Sequence, residues 1–149
     1  YDLAPMMSAD GVLARALSSI ANEEHELLII NFANPDMVGH TGDVPAARQA
    51  VETVDACVGA LVEAVEAKGG AMIVTADHGN CEVLWDFEAD SAHTAHTTNL
   101  VPVILVGGPE GASVSKGCLA DLAPSLLALL GLAQPEVMSG ENLIKMPQG

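Results

Sequence analysis

Positive charge is scarce in this sequence: five Lys and Arg residues stand against 20 Asp and Glu residues, a formal net charge of −15 at neutral pH. A chain this acidic is repelled by nucleic acids and by anionic membrane surfaces, so neither is expected as a partner. Long apolar runs are also absent, since none approaches the ~18 residues that a membrane-spanning helix needs. No signal peptide is recognised either.

Cysteine is rare as well. The three cysteines, Cys57, Cys81 and Cys118, form no closely spaced pair, which argues against a disulfide framework and fits a reducing cytosol. Half of the 149 residues are apolar and 17% are charged, a balance that excludes a disordered acidic tail and suffices for one domain with a core. We therefore expect a cytoplasmic domain. Because the first residue is Tyr1 and not Met, we also expect a segment of a longer chain.

Helical periodicity occurs in three parts of the chain. Apolar residues recur at steps of three and four after Ser8, after Asp43 and after Asp121, and each of these polar residues can cap the helix that follows it. The longest predicted helix carries Pro45 in its first turn and ends at the glycine pair 69–70. Both features are typical of helix termini.

Strand-like patterns alternate with these helices. Continuous apolar runs at residues 27–32, 71–76 and 101–106 predict three buried strands. Residues 77–99 are predicted to form a long irregular loop, and residues 134–149 an irregular surface tail. Buried strands separated by helices indicate an α/β fold with a mostly parallel sheet and helices on both faces.

Acidic and histidine side chains follow the first two predicted strands. Asp36 and His40 come after the first strand and lie four residues apart, and Asp77 and His78 come directly after the second. Ligands of parallel α/β sheets bind beyond the carboxyl ends of the strands. We therefore expect both pairs to lie close together at the same edge of the sheet.

Imidazole and carboxylate groups without a cysteine cluster favour Mn²⁺, Zn²⁺ or Fe²⁺ over a structural zinc. Two such ions about 4 Å apart can hold a phosphoryl oxygen and activate a hydroxyl nucleophile. His93 and His96, near the end of the long loop, are further candidates for ligands. Each of these residues by itself can equally be a cap, a turn former or a surface group. Cys81 is a candidate for a soft extra ligand or a redox-sensitive thiol.

Four longer motifs follow one another along the chain. They are YDLAPMMSA at residues 1–9, NPDMVGHTG at 34–42, TADHGN at 75–80 and TAHTTN at 94–99. In this order they resemble the C-terminal part of the phosphatase-like domain of cofactor-independent phosphoglycerate mutases, a family of the alkaline phosphatase superfamily. The resemblance covers essentially the whole chain. Met6 departs from it, since an acidic residue is expected there, but the position carries no ligand.

The resemblance implies a glycolytic isomerase that interconverts 3-phosphoglycerate and 2-phosphoglycerate through a phosphoserine. Such an enzyme uses two Mn²⁺ ions, with Zn²⁺, Co²⁺ or Fe²⁺ as alternatives, and no 2,3-bisphosphoglycerate. By position, Asp36, His40 and His96 match the ligands of one ion, while Asp77 and His78 match two ligands of the other. His96 is preferred to His93 because it occupies the histidine position of the last motif.

The resemblance also implies that part of the machinery lies outside this sequence. The nucleophilic serine, the remaining ligands and the phosphotransferase domain match no part of residues 1–149, so we expect this segment to be inactive alone; substrate-binding residues are not assigned. The complete enzyme is expected to be monomeric, whereas the open edge of an incomplete sheet favours self-association of the segment. Two alternatives stay open: a related metal-dependent phosphatase or phosphopentomutase, and a non-catalytic segment that binds metal or docks a partner.

Overall fold

A computed structural model describes residues 1–146 of the chain. The helices are α1 (Ala9–Ala21), α2 (Asn34–Gly39), α3 (Val44–Ala67) and α4 (Leu122–Leu129), with a 3₁₀ turn (Leu119–Asp121) directly before α4. The strands are β1 (Ala71–Thr75), β2 (Trp85–Asp86), β3 (Ser91–Ala92), β4 (Val103–Gly107), β5 (Ser113–Val114) and β6 (Ile144–Lys145). These elements form two compact units, the first from Tyr1–Ala64 and His78–Val101, the second from Val65–Asp77 and the chain from Pro102. None of the helices in residues 1–146 has the length and apolar content that a bilayer crossing requires.

The long helix α3 begins and ends as the sequence predicts. The Asp43 carboxylate accepts the backbone N–H of Ala46 at 2.8 Å, which is a side-chain cap. At the other end Gly69 adopts a φ of +67°, a conformation that costs glycine little. The N–H of Gly70 then donates to the carbonyl oxygen of Val65 at 2.9 Å and closes the helix.

The caps predicted at Ser8 and Asp121 are wrong. Ser8 directly precedes α1, but its side chain makes no capping hydrogen bond. Asp121 ends the 3₁₀ turn, so its carboxylate accepts the N–H of Cys118 at 2.7 Å instead of capping α4. The same carboxylate accepts the N–H of Glu141, also at 2.7 Å. Asp121 thereby ties the turn to a later segment of the second unit.

The core of the first unit is built from small side chains. Val38 of α2 is fully buried against Ala46, Ala47 and Ala50 of α3. Alanines on this face let the two helices approach closely, and partly buried Leu84 packs against the same cluster. The packing therefore fixes α2, a helix of six residues that could not persist on its own.

The strand pairs of the second unit are antiparallel, so the prediction of a mostly parallel sheet is wrong for the described residues. β1 pairs with β4 in a register that runs from Ala71 opposite Gly107 to Thr75 opposite Val103. Parallel neighbours need a crossover connection, usually a helix. Residues 76–102 between these strands contain no helix, and β4 returns antiparallel. The alternation of helices and strands itself is confirmed.

The first predicted strand, at residues 27–32, does not form. A strand exists only where a second strand exchanges hydrogen bonds with it, and none does so here within residues 1–146. Three of its apolar side chains are consequently exposed, Ile29 to 83%. The prediction of a buried strand at residues 27–32 is therefore wrong for the described residues.

The predicted irregular tail is wrong in part. Residues 134–143 carry no helix or strand, but Leu143 and Ile144 are buried. Ile144 lies opposite Val114 in the antiparallel pair formed by β5 and β6. A two-residue strand is too short to leave a periodic signal, which explains why the sequence pattern missed it. Residues 147–149 of the predicted tail lie outside the described residues.

Val38→Ala should lower the free energy of unfolding by about 2 kcal/mol, because it removes two methyl groups from a site with no access to solvent. Val51→Ala on α3 is the matched control, since Val51 is 45% exposed and alanine suits an exposed helix position. Urea denaturation of both variants measures the difference. Equal stability of the two variants would contradict this account of the core.

Asp121 should make stability depend on pH in the acid range. The N–H of Glu141 and then that of Cys118 hold the pKa of Asp121 below its ordinary value. A carboxylate with a lowered pKa in the folded state stabilises the fold above its unfolded pKa of ~3.9, and this stabilisation is lost as pH falls through the folded value. Asp121→Asn should therefore be less stable than the wild type at neutral pH and lose less stability on acidification.

Urea denaturation at pH 7 and pH 3 tests this expectation for Asp121→Asn. Asp55→Asn, at an exposed position of α3, is the control for removal of one negative charge. Parallel acid destabilisation of the wild type and of Asp121→Asn would contradict the role given to Asp121.

Candidate metal centre

Helix α2 carries two of the predicted ligands. Asp36 lies in its first turn and His40 follows its last residue, so that His40 Nε2 is 3.2 Å from Asp36 Oδ1 one helical turn away. The buried amide of Asn34 donates to the carbonyl oxygens of Pro5 and Met6, each at 2.8 Å. These two hydrogen bonds fix the start of the helix and hence the direction of its side chains.

His96 approaches α2 from the segment that follows β3. Its Nε2 is 2.9 Å from Asp36 Oδ1 and 3.1 Å from His40 Nε2. The potential ligand atoms of Asp36, His40 and His96 all lie within 4.8 Å of one another. The structure thus brings together, in the first unit, the three residues that the family resemblance assigns to one metal ion.

The spacing of these three atoms fits a divalent ion. Ligands at right angles around an ion with bonds of about 2.1 Å are roughly 3 Å apart, and the observed separations are 2.9, 3.1 and 3.2 Å. His40 Nδ1 lies 2.7 Å from the carbonyl oxygen of Thr94, which can only accept a hydrogen bond. That partner places the proton of a neutral imidazole on Nδ1 and turns the lone pair of Nε2 towards Asp36. In that form, the lone pair of His40 Nε2 and the Asp36 carboxylate can share one divalent cation.

The surroundings of Asp36 favour its ionised form. Partial burial alone would raise the pKa of Asp36, but the hydrogen bond from Asn80, together with the positive charge of the His40, His96 and His78 imidazoles in their protonated form, holds it below its ordinary value. Asn80 Nδ2 donates to Asp36 Oδ1 at 2.9 Å and to the Asp36 carbonyl oxygen at 3.2 Å. The site therefore presents a negative oxygen at neutral pH, as a divalent cation requires.

Asn80 and Gly39 are supporting residues that the sequence analysis missed. A Cβ atom on Gly39 would overlap the Asn80 side chain and lie 3.1 Å from Cys81 Sγ. Glycine at position 39 thus allows the close approach through which Asn80 reaches Asp36. The available signal was the motif itself, since Gly39 directly precedes His40 and Asn80 follows His78 by two residues.

His78 lies beside the three-residue cluster. Its ring stacks on that of His96 with centroids 3.7 Å apart, and its Nε2 is 4.0 Å from Asp36 Oδ1. Asp36, His40 and His78 therefore lie close together as predicted, but not at a common sheet edge, because residues 27–32 form no strand. Asp77 lies two residues beyond the end of β1, in the second unit, and its role as a ligand stays a prediction.

Two other candidates lie outside the cluster. His93 belongs to the loop after β3, where its backbone N–H donates to Leu84 at 3.0 Å, and the structure does not bring it to Asp36 as it does His96. Cys81 Sγ donates to the carbonyl oxygen of Pro35 at 2.8 Å. Burial raises the pKa of Cys81, which favours the thiol over the thiolate that binds metals and reacts with oxidants.

Comparison with known proteins identifies the class. The family model of the metalloenzyme superfamily matches residues 1–134, and the chain belongs to this superfamily. A crystal structure of phosphoglycerate mutase from Leishmania mexicana, determined at low cobalt concentration, superposes with a TM-score of 0.88 at 30% identity over 99% of this chain and 30% of that chain. This likeness confirms the predicted α/β class and the relationship to alkaline-phosphatase-like domains.

Curated relatives show which enzymes this chain is similar to. The chain is 60% identical over 144 residues to the 2,3-bisphosphoglycerate-independent phosphoglycerate mutase of Ruegeria sp. (strain TM1040), and 52% identical over 144 residues to that of Thiobacillus denitrificans. Each match covers 97% of this chain. The chain spans only 28% of the length of these relatives, so it is similar to one part of a larger enzyme.

Gly39→Ala should lower the free energy of unfolding by about 1–3 kcal/mol, because a methyl group there displaces Asn80 from Asp36. Gly59→Ala on α3 is the matched control, since a Cβ at Gly59 meets nothing within 4 Å. That variant should gain up to about 1 kcal/mol from helix propensity. Thermal unfolding distinguishes the two, and a stabilised Gly39→Ala would contradict the close approach of Gly39 and Asn80.

Proposed function

We propose that this chain is the metal-binding segment of a cofactor-independent phosphoglycerate mutase, a glycolytic isomerase that interconverts 3-phosphoglycerate and 2-phosphoglycerate. The observation that supports it most is the convergence of Asp36, His40 and His96 in a chain whose relatives carry that enzyme's name. Because the chain spans 28% of those relatives, the activity is proposed for a larger enzyme. This segment would contribute to its metal centre and be inactive alone.

We propose Mn²⁺ as the resident ion. One carboxylate oxygen and two imidazole nitrogens form a mixed donor set that suits Mn²⁺ and also Zn²⁺, Co²⁺ and Fe²⁺. A divalent ion bound there would supply positive charge that neutralises phosphoryl oxygens and lowers the pKa of a hydroxyl nucleophile. Asp77 and His78 are proposed as two ligands of a second ion, on the basis of the family resemblance.

The residues of this chain prepare the centre before any phosphoryl group arrives. Asp36 contributes a carboxylate that Asn80 keeps ionised and oriented. The carbonyl oxygen of Thr94 holds His40 in the tautomer whose Nε2 accepts. His96 completes the set at 2.9 Å from Asp36 Oδ1. Because these contacts hold the ligand side chains in place, little reorganisation would be needed when charge develops on the phosphoryl oxygens.

The proposed setting is that of a cytoplasmic enzyme acting on a small phosphorylated acid. Scarce, unpaired cysteines and a net charge of −15 support a reducing compartment and argue against a nucleic acid or a membrane as partner. The complete enzyme is proposed to be a monomer. The names of the relatives favour a glycerate mutase over a phosphopentomutase or a phosphatase with the same ligands.

Calorimetric titration with Mn²⁺ tests the metal centre. The wild-type chain should bind close to one ion, and His96→Ala should weaken binding by tenfold or more because it leaves two of three ligands. His25→Ala removes an imidazole that lies outside the cluster and should leave the affinity unchanged. Equal affinities of wild type and His96→Ala would contradict the assignment of this site.

The activity requires the longer enzyme that contains this segment. Phosphorus NMR resolves the two phosphoglycerates from inorganic phosphate, and it should show interconversion by the Mn²⁺-loaded enzyme and loss of this reaction in His96→Ala. Hydrolysis to inorganic phosphate as the main reaction would instead identify a phosphatase and overturn the proposed mutase activity.

A further inference from the structure

A second contact network joins the segments that carry His78 and His96, in the same unit. The segment 78–82 and the segment 96–99 meet at an isolated antiparallel bridge between Gly79 and Thr97, where the N–H of Thr97 donates to the carbonyl oxygen of Gly79 at 2.9 Å. A Cβ on Gly79 would overlap both the Thr97 hydroxyl and the Glu82 carboxylate. The bridge therefore depends on glycine at position 79.

One carboxylate oxygen closes this network. Glu82 Oε1 accepts one hydrogen bond from the Thr97 hydroxyl and a second one from Asn99 Nδ2 at 3.1 Å. The hydrogen bond from Thr97 is the main cause that lowers the pKa of Glu82, so the acceptor is ionised at neutral pH. Hydrogen bonds to a charged acceptor are the stronger kind. Glu82 thus holds the segment 96–99 at two points.

The held segment begins with a candidate metal ligand. His96 directly precedes Thr97, and its ring is located by two contacts at once, the stack on His78 and the approach to Asp36. His78 in turn directly precedes Gly79, so both stacked imidazoles are joined to the bridged residues by one peptide bond. A shift of Thr97 must therefore move His96 relative to Asp36.

We propose that Glu82 is a positioning residue of the metal centre, which holds His96 in ligating position by anchoring Thr97 and Asn99. This inference rests on the proposed metal site and adds a supporting residue to it. The group of potential ligand atoms found in the described residues is Asp36, His40 and His96 and does not include Glu82, so Glu82 acts through the segment that carries His96. Residues that orient metal ligands in this way typically change metal affinity 10- to 100-fold when removed.

The two hydrogen bonds to Glu82 determine which side chains can replace it. Both donors converge on the single oxygen Oε1, and glutamine keeps an amide oxygen at that place. Glu82→Gln should therefore retain the anchor, whereas Glu82→Ala removes it. Thr97→Val has nearly the same shape as the wild type. It removes the hydroxyl that donates to Glu82 and accepts the N–H of Asn99 at 3.4 Å, and it leaves the side-chain volume almost unchanged.

Titration of the chain with Co²⁺, followed by its visible absorption, tests the proposal. Glu82→Ala and Thr97→Val should raise the dissociation constant about tenfold or more and change the shape of the spectrum, because a nitrogen ligand is lost. Glu82→Gln should stay within about threefold of the wild type. Glu88→Ala, an exposed glutamate of the same unit, is the control for lost negative charge and should have no effect.

A double-mutant comparison separates positioning from general structural damage. If Glu82 acts through His96, Glu82→Ala should cause no further loss of Co²⁺ affinity in the His96→Ala background. Proton NMR of the metal-free chain is a second measurement. In Glu82→Ala, the chemical shifts of the His96 ring protons should lose the contribution that stacking on His78 causes in the wild type. Circular dichroism confirms that each variant is folded.

The outcomes that overturn the inference are distinct. Equal losses from Glu82→Ala in both backgrounds, or an unchanged dissociation constant in Glu82→Ala, would remove Glu82 from the metal centre while leaving the proposed function intact. Absence of Co²⁺ and Mn²⁺ binding by the wild-type chain would overturn the proposed metal site and the role of Glu82 with it.

Discussion

The negative charge on one oxygen, Asp36 Oδ1, organises the first unit of this protein. Asn80 donates to it at 2.9 Å, and the Nε2 atoms of His96, His40 and His78 lie 2.9, 3.2 and 4.0 Å away. These residues come from three separate parts of the sequence, so the oxygen is where helix α2 and two loop segments meet. A divalent ion bound beside this oxygen would offset its negative charge and could be shared by the imidazoles of His96 and His40.

The core of the first unit is arranged so that α2 can hold this oxygen in place. A six-residue helix has no stability of its own, and here it is fixed by tertiary contacts at both ends. Asn34 anchors its beginning on the N-terminal segment, and buried Val38 packs on the alanines of α3. Pro35 presets the first turn. These contacts thus fix the position of α2, and with it the position of Asp36, as well as stabilising the first unit.

Local rules predicted the parts of the structure that depend on near neighbours in sequence. Asp43 and the glycine pair 69–70 predicted the ends of α3, as observed, and Asp36 and His40, four residues apart in the sequence, lie within contact distance. Local rules did not predict the pairing of distant strands. The antiparallel pairing of β4 with β1 and the absence of a strand at residues 27–32 both depend on whether a partner far along the chain is available. Glu82 was missed for the same reason, since its donors lie 15 and 17 residues away.

Nitrogen-15 NMR of the histidine side chains during titration with Zn²⁺ tests the central claim most directly. A diamagnetic ion bound by Asp36, His40 and His96 should shift the Nε2 signals of both histidines together and saturate at one equivalent. The signals of His25, whose Nδ1 contacts Ser19, should stay unchanged. Shifts at His25 without shifts at His40 and His96, or no shift in a folded chain, would contradict a metal centre built around Asp36.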